Sequence, residues 1–124
     1  MGKFVIKKTT TGFTFSLKAT NGEVIATSQV YASESGCRNG IKSVQENAKA
    51  KVEDQTVKGY ETISNPKYEV YLDRAKEYRF RLKAKNGEAI AHSEEGYASK
   101  SGCLNGIASV GKNAPGAEVV KESK

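Results

Sequence analysis

Two thiols, one imidazole and a few carboxylates are the groups in this chain that could do covalent or acid–base chemistry. Cys37 and Cys103 are its only cysteines and His92 its only histidine. A thiolate could attack an electrophile or pass electrons, but it needs access and a partner that stabilises its charge. A zinc site wants ligands paired a few residues apart, and each cysteine stands alone. The carboxylate pairs Glu53-Asp54 and Glu94-Glu95 are neighbours in sequence and have no counterpart elsewhere, so no general acid–base arrangement is visible. These residues argue against an enzyme, and they call for no metal and no cofactor.

The cysteines are informative for another reason. "YASESGCRNGIKSV" (Tyr31 to Val44) returns as "YASKSGCLNGIASV" (Tyr97 to Val110). Residues 15–48 align with residues 80–114, with one inserted residue before Tyr97 and 23 identities. The chain is therefore an internal duplication, and a pseudo-two-fold arrangement within a monomer is expected. Repeat 1 is assigned to residues 1–57, a linker to 58–66 and repeat 2 to 67–124.

The repeated stretch reads as a helix with Ser33 or Ser99 as N-cap. At about 100° per residue its invariant positions fall in one arc. Cys37, Ile41, Val44 and Ala48, with Cys103, Ile107, Val110 and Ala114, form a core stripe, so both thiols should be buried. The other half of the arc is polar or small: Gly36, Asn39, Gly40, Ser43 and Asn47, repeated as Gly102, Asn105, Gly106, Ser109 and Asn113. Glycine inside a helix costs about 1 kcal/mol relative to alanine, so something must approach closely there. Two accounts are open. The glycines admit a strand or the other copy's helix, or the ten residues line a shared groove that binds a small polar ligand.

Strand patterns precede each helix. "FTFSLKA" and "YRFRLKA" alternate with period two, and each leads into Asn-Gly. A two-residue type I′ turn at Asn21-Gly22 and Asn86-Gly87 would pair Thr20 with Glu23, Leu17 with Ala26 and Phe15 with Ser28. In the second copy it would pair Lys85 with Glu88, Leu82 with Ala91 and Arg81 with His92. A further strand lies before each hairpin (Lys3 to Lys8, Lys67 to Leu72), and β-prone pieces follow each helix around Val52 to Val57 and Ala117 to Lys121. The reading is an α+β protein of two tandem β3-α-β repeats, with two helices covering one face of a mainly antiparallel sheet.

The face left open would carry Tyr71, Arg79, Arg81, Lys83 and His92 in repeat 2, opposite Lys7, Thr14, Ser16, Lys18 and Thr27 in repeat 1. Ile25 and Ile90 should lie under the Lys and Arg stems of this face. With a net charge of +6, basic groups beside an aromatic could hold single-stranded nucleic acid or another polyanion. No apolar leader or membrane-spanning stretch is present, so a cytoplasmic protein is expected.

The series Asn-Gly-Glu, then Tyr-Ala-Ser-x-Ser-Gly-Cys-x-Asn-Gly-Ile-x-Ser-Val-x-x-Asn-Ala, closely resembles the YegP-like family of small bacterial proteins. The resemblance covers both repeats. It implies β3-α-β units, found in tandem or as homodimers, that form a single sheet with their C-terminal strands swapped. That family has no established activity, so the resemblance assigns no site residue. The copies differ at the helix entry: Glu95-Gly96 precedes Tyr97, whereas Val30 precedes Tyr31. The function read from all this is a non-enzymatic binding or interaction module, with polyanion binding by the open face as its rival.

Overall fold

The structure is a computed structural model that describes residues 2–122. Each repeat contributes three strands, a helix and a last strand. Repeat 1 supplies β1 (Lys3–Lys8), β2 (Phe13–Lys18), β3 (Val24–Thr27), α1 (Glu34–Asn47) and β4 (Lys51–Asp54). Repeat 2 supplies β5 (Lys67–Leu72), β6 (Tyr78–Lys83), β7 (Ala89–Ser93), α2 (Lys100–Asn113) and β8 (Glu118–Lys121). All eight strands join one sheet in the order β4-β5-β6-β7-β3-β2-β1-β8. The β-prone piece after α1 is shorter than expected, since β4 stops at Asp54.

The last strands are exchanged. β4 pairs in parallel with β5 of the other repeat, and β8 pairs in parallel with β1. Every other pairing is antiparallel. The two hairpins meet at the centre, where Thr27 stands opposite His92 and Ala26 opposite Ser93. Thr27 and His92 are equivalent positions, so the pseudo-two-fold axis passes between them.

Alternation decides which side chains are buried. Phe4, Ile6, Phe15 and Leu17 in one half, and Tyr68, Val70, Phe80 and Leu82 in the other, face the helices and have lost essentially all contact with water. Cys37, Ile41 and Val44 of α1 and Cys103, Ile107 and Val110 of α2 close over them in one continuous core. Both helices start as read: the Ser33 and Ser99 hydroxyls each accept from the backbone N–H three residues on, at 3.1 Å.

The hairpin turns differ from the two-residue expectation. The Gly22 N–H donates to the Ala19 carbonyl and the Ala19 N–H to the Glu23 carbonyl, both at 2.9 Å, and the second copy does the same through Ala84, Gly87 and Glu88. Only the glycines take positive φ, +88° at Gly22 and +87° at Gly87. A type I′ turn needs positive φ at both central residues, so this is a type I turn closed by a glycine bulge. Thr20 therefore does not pair with Glu23, nor Lys85 with Glu88. The expected Leu17–Ala26, Leu82–Ala91 and Arg81–His92 pairs are kept, because the register slips only at the next position. That slip has a consequence for packing. Ile25 and Ile90 were expected on the open face, but the irregularity turns them inward and they join the core beneath the helices.

Candidate functional site

The repeated glycines make room for an aromatic ring. A Cβ at Gly40 would collide with the Tyr31 hydroxyl, and one at Gly106 with that of Tyr97. Each tyrosine sits three residues before its helix and folds back over the first turns. Its ring stacks on a core phenylalanine, Tyr31 on Phe15 at 6.2 Å and Tyr97 on Phe80 at 6.3 Å between centroids. The expected neighbour was a strand or the opposite helix; the actual one is local. Each tyrosine is anchored by its backbone, which exchanges two hydrogen bonds with Phe13 or with Tyr78. The entry has the same shape in both copies despite the extra Gly96.

The asparagines of the polar arc divide into two kinds. Asn47 Nδ2 donates to the Ser43 carbonyl at 2.9 Å, and Asn113 to that of Ser109 at the same distance. These side chains serve their own helix. Asn39 and Asn105 are exposed, and their side chains make no hydrogen bond among the described residues.

The ten residues of the polar arc do not line one shared groove. Eight of them line two separate clefts, each built across the repeats. Tyr31, Gly36, Asn39, Gly40 and Ser43 of repeat 1 face Ala84, Asn86, Glu88 and Ile90 on the hairpin of repeat 2, around a cleft of 300 Å³. Tyr97, Gly102, Asn105, Gly106 and Ser109 face Ala19, Asn21, Glu23, Val24 and Ile25 around a cleft of 240 Å³. Apart from Val24, the two sets are identical in type, position by position. Asn47 and Asn113 line the adjoining grooves farther along each helix.

Several of these groups are already occupied. Asn21 and Asn86 accept the Glu23 and Glu88 backbone N–H at 3.0 Å and so hold the turns. Left over in each cleft are the exposed carboxamide, the tyrosine hydroxyl and the hairpin glutamate. Burial raises the Tyr31 pKa, and the nearby Cys37 and Glu88 add to it; burial does the same at Tyr97, with Cys103, Glu95 and Glu23 adding. Both phenols stay neutral at ordinary pH. Sequence reasoning did not single out Tyr31, Tyr97, Glu23 or Glu88 as site residues, although all four lie in the aligned segments 15–48 and 80–114. The signal available was their identity between copies.

On the open face, Tyr71, Arg79, Arg81 and Lys83 do come together, and Arg81 lies 4.4 Å above the centre of the Tyr71 ring. Both arginines are already paired, while Lys83 shares Glu69 with Arg81 and Lys67. Arg79 binds Asp73 at 2.7 Å, Arg81 binds Glu69 at 2.5 Å, and Lys83 lies 3.9 Å from Glu69. Burial pushes the Glu69 carboxyl up, but Arg81, Lys83 and Lys67 outweigh it and hold its pKa below the usual carboxylate value. His92 is exposed at the central seam, within 3.4 Å of the Thr27 hydroxyl. Both cysteines are free and buried; burial raises the Cys37 pKa and lifts that of Cys103 to about 11, so both remain thiols.

An eight-stranded sheet with swapped end strands and two helices on one face defines a class of duplicated α+β proteins. The family described as "Domain of unknown function (DUF1508)" matches twice, over residues 10–54 and 73–120, and this chain belongs to it. It is 43% identical over 114 residues to the UPF0339 protein YegP of Yersinia pestis, covering 91% of this chain and 88% of that one. A UPF0339 protein of Treponema denticola is 60% identical over 55 residues, 44% of this chain but 93% of its own length, and so corresponds to a single repeat. The solution structure of yegP from E. coli, a protein of unknown function, superposes with a TM-score of 0.77 at 32% identity, over 98% of this chain and 92% of the other. No helix among the described residues is long and apolar enough to cross a membrane.

Proposed function

We propose that this chain is a non-enzymatic binding module whose ligands seat in the two clefts between each helix and the opposite hairpin. Asn39 and Asn105 carry the reading. Other exposed positions on the two helices have diverged, as Arg38/Leu104, Lys42/Ala108 and Glu46/Lys112. Ser35 and Ser101 are identical, but each lies 3.3 Å from its N-cap hydroxyl. The exposed carboxamide alone is kept in both helices without a hydrogen bond among the described residues. Its place in the fold gives it no task, and its place in the cleft does.

A screen of small polar compounds by two-dimensional ¹⁵N NMR tests this. At least one compound should shift the Asn39 and Asn105 side-chain amides and lose that effect in the N39A/N105A variant. Exposed substitutions of this kind shift stability by about 0.5 kcal/mol or less, so the variant stays folded. A screen in which every hit maps elsewhere overturns the proposal. The rival, polyanion binding through Arg79, Arg81, Lys83 and Tyr71, requires the polyanion to displace Asp73 and Glu69. A cytoplasmic location belongs to the same proposal, since free thiols suit a reducing compartment, and cell fractionation checks it.

A further inference from the structure

We infer that each cleft takes a small ligand bearing a primary ammonium group, held between the glutamate of one repeat and the asparagine of the other. This rests on the reading of the clefts as ligand sites and adds the chemistry of the occupant. The argument starts from Glu23 and Glu88. The hairpins "ATNGEVIA" and "AKNGEAIA" differ on either side of this residue, at Thr20/Lys85 and Val24/Ala89, yet the glutamate stays. The turn uses only its backbone: the N–H donates to the Asn side chain and the carbonyl accepts from Ala19 or Ala84. Neither carboxylate has an ion-pair partner or a side-chain hydrogen bond among the described residues. The turn therefore does not require a carboxylate at this position.

Each glutamate is also the only charged residue lining its cleft. On a chain of net charge +6, two equivalent pockets thus carry one negative charge and no cation. The acceptors number three: the Glu23 or Glu88 carboxylate, the Asn105 or Asn39 amide oxygen, and the Tyr97 or Tyr31 hydroxyl oxygen. A primary ammonium offers three N–H donors and no acceptor. Glu23 and Glu88 are exposed, so a carboxylate or phosphate ligand would meet a like charge, and a neutral alcohol would gain no charge-assisted hydrogen bond from them. Volumes of 300 and 240 Å³ lie at or below the lower end for small-molecule pockets, so the ligand has only a few heavy atoms.

The test is a titration of the full-length ¹⁵N-labelled protein at pH 7 with n-butylammonium chloride, with 1-butanol, sodium butyrate and sodium chloride as parallel probes. Butylammonium should shift both side-chain amides, Asn39 and Asn105, along saturating curves that the other probes do not produce. The E88Q variant should weaken the response at Asn39 by about tenfold, the worth of one charge-assisted hydrogen bond, and leave Asn105 unchanged. The E23Q variant should do the reverse. An equal response to butanol or butyrate overturns the ammonium inference while leaving the clefts as ligand sites. The inference also fails if the two amides do not respond to butylammonium, or if E88Q and E23Q have no selective effect. Hits of other chemistry at Asn39 and Asn105 in the compound screen would then show that only the ligand class was wrong.

Discussion

The two ends of the sheet have the same shape and opposite charge. At one end Asp54 of β4 binds Lys100 at the start of α2; at the other Lys121 of β8 binds Glu34 at the start of α1, and both distances are 2.8 Å. One layer away, on the open face, the contrast deepens. Lys67 sits 2.6 Å from Glu53 and 3.4 Å from Glu69, all three almost fully buried. The equivalent positions at the other end are Lys3, Val120 and Val5, with no ion pair among the described residues. The burial at the first end comes from the crossover. Residues 55–66 must return from β4 to a parallel neighbour, which takes about a dozen residues. They do so across the open face, where the Ile63 N–H donates to Glu53 at 2.9 Å.

The polarity reversal also favours the exchange of strands by a small amount, since both ion pairs are partly exposed. If β4 returned to its own repeat and took the place of β8, Asp54 would meet Glu34. If β8 took the place of β4, Lys121 would meet Lys100. Like charges oppose both alternatives, and opposite charges favour the swapped pairing that is observed.

Four probes separate the ends or test what they share, in descending order of effect. Lys67→Met leaves Glu53 buried without its cation, while Glu69 keeps Arg81, and should cost about 3–5 kcal/mol by urea unfolding. Lys3→Met at the equivalent exposed place should change stability by no more than about 0.5 kcal/mol. Equal losses would show that the ends are energetically alike. Next, Gly40→Ala and Gly106→Ala should each cost about 1–3 kcal/mol through overpacking against the tyrosine, and by similar amounts, because this contact is common to both halves. The Y31L background should recover most of the Gly40→Ala loss.

Acid provides the third probe. The hydrogen bond from Lys67, helped by that from Gln55, lowers the Glu53 pKa from 4.5 to about 2. A folded-state pKa below the unfolded one gives stability that is fully present above about pH 4.5 and lost as pH falls towards 2. Glu53→Gln should flatten that part of the stability curve, and Val120→Thr should leave it unchanged. The smallest effect belongs to the exposed pair. Glu34→Lys should lower Tm slightly at low ionic strength, and the difference should disappear in molar salt, where such charges are screened.

The architecture was legible because its signals are local and repeated. Alternation in "FTFSLKA" and "YRFRLKA" fixed the faces of β2 and β6, and the Cys37-Ile41-Val44 stripe fixed the buried side of α1. The turn was misread because Asn-Gly serves both a type I′ turn and a type I turn with a glycine bulge. The hydrogen bond from Gly22 to Ala19 and the φ of Asn21 distinguish them, and with them the direction of Ile25. The polar arc was visible on the helix wheel, but its partner was not. Nothing in one repeat announces that Asn39 will face Glu88, because that contact is made between repeats. The neutralised arginines were illegible for a related reason. Arg81 meets Glu69 across neighbouring strands, and charge counted along the chain does not register such pairs.

The Thr27–His92 contact at the centre of the sheet has an evolutionary consequence. In a symmetric dimer of two separate chains, any residue on the axis must face an identical residue from its partner. A histidine there would confront a second histidine, and two imidazolium charges in acid would push the subunits apart. Covalent fusion ends that obligation. The two axial positions became independent sites, each able to vary without altering the other, and a threonine now lies against a histidine. The joined chain can therefore hold side-chain combinations at its midline that a homodimer of single repeats cannot reach by any one substitution.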